Sequence, residues 1–187
     1  MKIFESRKLM IDFYVTTNLV GAEIGVFEGN FSEFLIKKNP KKLYLVDLFD
    51  GACGSGDVDG NNFRYIDLGA IYLNLKKKFS SNQNVEIFKG ASDIFFNNLS
   101  DNNLDYIYID ADHSYESVKK DLENSRLKVK RDGYIFGHDY SINKSKTNQS
   151  YFFEVQKAVD EFCLKYKLEI EAIANDGCTS FCIKNIK

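Results

Sequence analysis

No stretch of this chain reaches the roughly 18 uncharged apolar residues that a membrane-spanning helix needs, so no membrane span is expected. Tryptophan is absent, and only two histidines, His113 and His138, occur in 187 residues. The four cysteines, Cys53, Cys163, Cys178 and Cys182, form no C-x-x-C pair, which excludes the usual zinc-site spacing. Cys178 and Cys182 fall in an apolar stretch and read as small core residues. The opening MKIFESRKLMIDF carries Glu5 and Asp12 where an export signal needs an apolar core, so a reduced, cytoplasmic setting is the expectation. A net charge of -2 gives no overall pull toward nucleic acid or acidic membranes. The run Lys76-Lys77-Lys78 reads as a solvated helix face. Neither an internal repeat nor a low-complexity linker divides the chain.

What is present is a composition of 44% hydrophobic and 28% charged residues, suited to one globular domain with a sizeable core. The single domain is expected to span 1–187 with a short N-terminal helix (1–18), its helical pattern covering residues 2–17. Strands are expected at Leu19–Phe27, Leu43–Leu48, Val85–Phe88, Tyr106–Ile109 and Tyr134–Phe136. Helical patterns follow at Phe31–Lys38, 65–79, from Ser92, Tyr115–Val129 and 151–166. A Gly/Asp loop covers 50–62, and a polar loop covers Ser141–Gln149. The strand at Tyr106–Ile109 shows almost no polar alternation, as expected of a strand buried on both faces. Leu168–Ile173 and Ser180–Ile183 flank Asn175-Asp176-Gly177, a hairpin signal. Strands alternating with helices predict an α/β, doubly wound, mostly parallel sheet of about seven strands, with one antiparallel C-terminal strand.

In such sheets ligands bind beyond the carboxyl ends of the strands, and the chemistry-bearing residues cluster there. The first strand ends EIGVFEG, from Glu23 to Gly29, a glycine-bearing turn that lets a ligand approach the backbone. Asp47 ends the next strand about twenty residues on, where an acid can grip a ribose by its hydroxyls. Together these features indicate an adenosine-type ligand. The middle glycine of a dinucleotide fingerprint is missing, and Glu23 and Glu28 flank the turn. Carboxylates there repel a diphosphate and tolerate a sulfonium and an ammonium group. The glycines of GACGSGDV lack the Lys-Ser/Thr of a phosphate loop, and DVDGNN is no calcium loop. Two further strand ends, YIDADHSY and GYIFGHDY, hold Asp110, Asp112, His113, His138 and Asp139. For any one acid, capping of the next helix is the simpler role; the assembly of acids and histidines points to a functional site.

The order EIGVFEG, LVD, GAS (Gly90 to Ser92), YIDADHSY and GHDY resembles the class I S-adenosylmethionine-dependent methyltransferases over residues ~20 to 187. That resemblance implies the Rossmann-like methyltransferase fold. It also implies that Glu23, Gly25 and Gly29 hold the methionine end, Asp47 the ribose, Ser92 the adenine side and Asp110 the cofactor as well. Closer likeness to the catechol-type O-methyltransferases, and to a bacterial branch acting on sugars and natural products, implies a small hydroxyl-bearing acceptor. It further implies magnesium at Asp110 and Asp139. His113 stands where the catechol-type pattern has its catalytic lysine, and Tyr140 where it has Asn. Metal-assisted transfer, and metal-free transfer with His113, Asp112 or His138 as base, both fit. Phe27, Phe49 and Tyr140 are candidates for stacking on adenine or substrate, although core packing is the commoner role for any one of them. The short loops leave room for a partner subunit, a homodimer, to complete the pocket. A nicotinamide-dependent oxidoreductase and a non-catalytic nucleotide-binding protein of the same fold are the competing classes.

Overall fold

The computed structural model describes residues 1–55, 64–140 and 154–187. In chain order the first elements are β1 (Lys2–Phe4), α1 (Arg7–Tyr14), β2 (Val20–Ile24), α2 (Asn30–Lys37) and β3 (Lys42–Asp47). Next come β4 (Ala52–Ser55), β5 (Arg64–Asp67), α3 (Leu68–Lys78), β6 (Val85–Lys89) and α4 (Ser92–Asn98). The last are β7 (Leu104–Ile109), α5 (Tyr115–Lys128), β8 (Val129–Gly137), α6 (Val155–Tyr166), β9 (Ile170–Asn175) and β10 (Thr179–Lys184).

The main sheet has eight strands in the order β1-β9-β10-β8-β7-β2-β3-β6. Only β10 runs antiparallel to its neighbours, β8 and β9. The hairpin at Asn175–Gly177 dictates that reversal, because a tight turn cannot join parallel strands. The central strand β7 is buried on both faces, and its side chains divide by parity. Ile107 and Ile109 enter one core with Phe96 of α4, Leu122 of α5 and Val159 of α6. Tyr106 and Tyr108 enter the other with Met10 of α1, Leu35 of α2 and Leu75 of α3. Two helical layers therefore sandwich one sheet, which explains why no polar alternation marks β7.

Several boundaries differ from the sequence expectation. Residues 2–4 are not the start of a helix but a strand, pairing parallel with β9 at Ile3↔Ile173. The helix begins only at Arg7, because Ser6 caps it by accepting the Leu9 N–H at 3.3 Å. This added edge strand raises the count from seven to eight. The loop 50–62 and the start of the helix at 65–79 yield to a small antiparallel pair, β4 with β5. Helix α3 starts at Leu68, where Asp67 caps it through the Ala70 N–H. Strand β8 begins at Val129, longer than the three residues expected. Cys178 is exposed in the hairpin turn rather than buried, whereas Cys182 and Cys163 are buried. The polar loop Ser141–Gln149, residues 56–63 and the expected helical start at 151–153 lie outside the described residues. Among the described residues, no helix is long and apolar enough to cross a membrane.

One buried acid ties β2 to α2 beneath the first turn. Glu23 is buried and accepts the Ser32 hydroxyl at 2.5 Å. Burial pushes its pKa from 4.5 up to about 8 despite that hydrogen bond. The folded state thus keeps a proton that the unfolded chain releases above its ordinary pKa. Stability contributed by neutral Glu23 is present at acid pH and is lost as pH rises from about 4.5 to about 8. Thermal unfolding of Glu23→Gln is expected to depend less on pH than that of the native chain. The variant should melt higher at pH 9 and gain little at pH 5; equal pH profiles would refute the assignment.

Candidate active site

The site forms where five parallel strand ends are stitched by four hydrogen bonds just beyond their regular pairing. Gly90 donates to the Asp47 carbonyl at 2.9 Å, and Gly25 to Val46 at 2.9 Å. Asp110 donates to Ile24 at 2.7 Å, and His138 to Ile109 at 3.0 Å. The result is a row of aligned turns across β6, β3, β2, β7 and β8. A cavity of about 490 Å³ opens along it, within the size range of small-molecule sites.

Gly25 and Asp47 shape the first part of that cavity. Gly25 has φ +89°, a conformation costly for other residues, and a Cβ there would lie 1.9 Å from the Asp110 carbonyl oxygen. Asp47 accepts the N–H groups of Val26 at 2.8 Å, Phe27 at 2.9 Å and Phe49 at 3.0 Å. It therefore holds the turn in shape while lining the cavity. Phe27, at φ +49°, lines the cavity and is partly exposed. Phe49 is fully buried, with its ring 5.4 Å from that of Tyr72, so it belongs to the core. Gly90, Ala91 and Ser92 form the far wall, and the Ser92 hydroxyl donates to Asp121 at 2.6 Å.

The expected residues do not all meet. Asp47, Gly25, Ser92, Asp110 and Asp112 line the cavity. Glu23 and Gly29 do not. Glu23 lies beneath the turn, and Gly29, with φ +74°, caps α2. Both support the turn rather than face the cavity. Asp112 has both oxygens engaged at the start of α5. One accepts the Ser114 N–H at 3.0 Å; the other accepts the hydroxyls of Ser114 at 3.0 Å and Ser117 at 2.6 Å. Tyr140 points its hydroxyl at Asp160, 2.7 Å away.

Beside the cavity, Asp110, His113 and Asp139 bring one donor atom each within 4.8 Å of one another. His113 Nε2 lies 3.0 Å from Asp139 Oδ2 and 3.6 Å from Asp110 Oδ1. His138 Nδ1 lies 3.2 Å from the same Asp139 oxygen and 3.6 Å from the same Asp110 oxygen. Burial opposes charge on His113, but Asp110 and Asp139 outweigh it and push its pKa up to about 9. At neutral pH His113 is therefore a charged donor, not a ready base. Burial also opposes charge on Asp139, yet His113 and His138 hold it well below the usual carboxylate range. Asp139 itself has φ +57°, strained backbone of the kind that functional sites retain.

Sequence reasoning missed Arg7, Asp93, Lys120 and Asp121. The last three line the cavity from helices α4 and α5. Arg7 reaches Asp110 from the first residue of α1, its Nη1 3.3 Å from Oδ2. No spacing signal marks Arg7, because strand β1 delivers it from the distant sheet edge.

In this doubly wound sheet a cavity of about 490 Å³ and an acid cluster share adjoining strand ends. The family described as "Methyltransferase domain" matches residues 22–140. The chain belongs to that family, within the class I superfamily. No curated protein sequence matches it. Among solved structures, it is similar to a SAM-dependent methyltransferase from Aquifex aeolicus, with a TM-score of 0.65 and 17% identity over 98% of this chain and 90% of that one. An O-methyltransferase from Bacillus cereus in complex with SAH has a TM-score of 0.64 and 12% identity over 95% and 78%. A tRNA methyltransferase from B. subtilis has a TM-score of 0.63 and 11% identity over 98% and 67%. At such identities these likenesses establish the shared fold.

Gly25→Ala tests the turn. A methyl group aimed at the Asp110 carbonyl should cost roughly 1–3 kcal/mol of stability and weaken S-adenosylmethionine binding, read by thermal unfolding and calorimetry. Native affinity in the variant would show that the cofactor does not use this turn.

Proposed function

We propose that the enzyme transfers a methyl group from S-adenosylmethionine to a hydroxyl of a small molecule such as a sugar, with a divalent metal held beside the cofactor. The observation that carries this reading is the convergence of Asp110, His113 and Asp139 within 4.8 Å, with Asp110 also lining the cofactor cavity. The cavity suits the cofactor electrostatically. Five carboxylates, of Asp47, Asp93, Asp110, Asp112 and Asp121, line it against the one ammonium of Lys120. That balance favours a sulfonium with an α-ammonium group and disfavours the diphosphate of a nicotinamide cofactor. The net charge of -2 supports a small acceptor rather than a nucleic acid.

Within this reading, Asp47 holds the ribose with the lone-pair capacity its three backbone donors leave. Gly25 lets the methionine end approach the backbone, and Ser92 and its neighbours flank the adenine. Glu23 and Gly29 act through the turn they support. Asp112 anchors α5, which carries Ser117, Lys120 and Asp121 to the cavity.

The donor set fits a divalent ion. Two carboxylates suit magnesium, and the imidazole as third donor extends the fit to manganese and similar metals. Such a metal would hold the acceptor oxygen and lower the pKa of its hydroxyl. Asp110 and Asp139 would then supply the ligand oxygens, and His113 must lose its proton before Nε2 can ligate or act as base. His138, against the same two carboxylates, is the other imidazole able to take the hydroxyl proton. In-line approach of the acceptor to the sulfonium supplies the rest of the rate gain.

Thermal shift with S-adenosylmethionine, S-adenosylhomocysteine and NAD should show stabilisation by the first two only; stabilisation by NAD alone would sink the reading. Methyl transfer to a panel of small hydroxyl compounds is then expected to fall in EDTA and return with magnesium or manganese. Unchanged turnover in EDTA would remove the metal. Asp139→Asn and His113→Ala should each lower turnover by about 100-fold or more. Near-normal turnover in His113→Ala would remove His113 from the chemistry.

A further inference from the structure

We propose that Arg7 is a positioning residue of the active site: its guanidinium ties one oxygen of Asp110 and leaves the other facing His113, His138 and Asp139. The inference rests on the reading of Asp110 and Asp139 as the working carboxylates of the site.

The geometry divides the Asp110 carboxylate cleanly. Its Oδ2 lies 3.3 Å from Arg7 Nη1. Its Oδ1 lies 3.6 Å from both His113 Nε2 and His138 Nδ1. A carboxylate free to rotate would not hold that assignment. Asp110 and Asp139 also bring like charges close together, and a cation on the far side of Asp110 offsets part of that repulsion.

Arg7 is itself held from several directions. Its Nη1 donates to the Tyr108 hydroxyl at 3.3 Å, and Tyr108 is fully buried. Its guanidinium carbon sits 4.9 Å from the centre of the Phe31 ring, within cation–π range. Its backbone N–H donates to Asp176 at 3.1 Å in the β9–β10 turn, and its Nε lies 3.8 Å from the same oxygen. One nitrogen, Nη1, thus serves both the phenol and the carboxylate while the guanidinium sits over an aromatic ring, a stacking that a lysine ammonium reproduces poorly. The whole arrangement depends on β1, whose pairing with β9 brings the first residue of α1 to the site. An N-terminal segment that looks like edge trim therefore contributes to the active site.

Four variants test this, with three readouts: kcat against KM for S-adenosylmethionine, manganese affinity of the protein alone by electron paramagnetic resonance, and melting temperature. Arg7→Gln is expected to lower kcat and weaken manganese binding, each by roughly 10–100-fold, while KM for S-adenosylmethionine stays close to native. Arg7→Lys should recover part of both losses. Asp176→Asn, which loosens the arm without removing the guanidinium, should keep native kcat and manganese affinity even if it melts lower. Native values in Arg7→Gln would overturn the proposal, as would an equal loss in Asp176→Asn, which would trace the effect to arm docking. Should Arg7→Gln fail to fold, Arg7→Lys decides, and native values for it would overturn the proposal. Asp110→Asn separates the two levels. If Asp110→Asn leaves manganese affinity and turnover intact, the reading of the site fails and the inference with it. If Asp110→Asn loses both and Arg7→Gln neither, only the role of Arg7 fails.

Discussion

The site depends on the contact between Gly25 and the Asp110 peptide. Asp110 N–H bonds the Ile24 carbonyl at 2.7 Å, and the space a Gly25 side chain would need is filled by the Asp110 carbonyl. The turn that lines the cavity and the strand end that carries the acids are thus one packed unit. The neighbouring stitches, Gly90 to Asp47, Gly25 to Val46 and His138 to Ile109, extend that unit across the sheet. Because parallel strands fix their ends in register, a shift at any one turn would move the cofactor wall relative to the acid cluster. Methyl transfer needs that alignment, since its rate depends on in-line placement of donor and acceptor.

Charge imposes the second constraint. Two partly or fully buried carboxylates, Asp110 and Asp139, sit together at the edge of a low-dielectric sheet. Unpaired, they would be costly. The chain answers with Arg7 on one oxygen of Asp110 and with the imidazoles of His113 and His138 against the oxygens that face inward. This arrangement keeps Asp139 ionised and His113 protonated in the protein alone. It also means that the same inward oxygens can serve a proton or a metal, but not both at once. His113 therefore keeps its charge up to about pH 9, because Asp110 and Asp139 outweigh its burial.

The strand-end chemistry was legible in the sequence because strand ends have a signature. An apolar run without alternation marks a strand buried on both faces, and polar residues directly after it must lie at the sheet edge. Asp47, Asp110 and Asp139 were found that way. What such local patterns do not carry is partnership over distance. Lys2 to Phe4 becomes a strand only because β9, about 170 residues on, presents an open edge. Asp112 could be read as a base or a cap, and its contacts with Ser114 and Ser117 at the start of α5 are visible only in the structure. Glu23 sits in the right motif, but its neighbour Ser32, on the following helix, draws it under the turn and away from the cavity.

These errors share a cause that bears on how the fold makes a site. In a doubly wound sheet each strand–turn–helix unit adds its own strand end to the cavity wall, and a short motif describes each of those ends. The acceptor side is built where separate units converge. The acid cluster is such a place: β7, β8 and the first residue of α1 meet around Asp110. Their convergence is a property of topology, because β10 reverses and brings its turn to the carboxyl edge while β1 adds parallel to β9. A change in sequence at the start of α1 therefore reaches the acid cluster through the contact of Arg7 with Asp110.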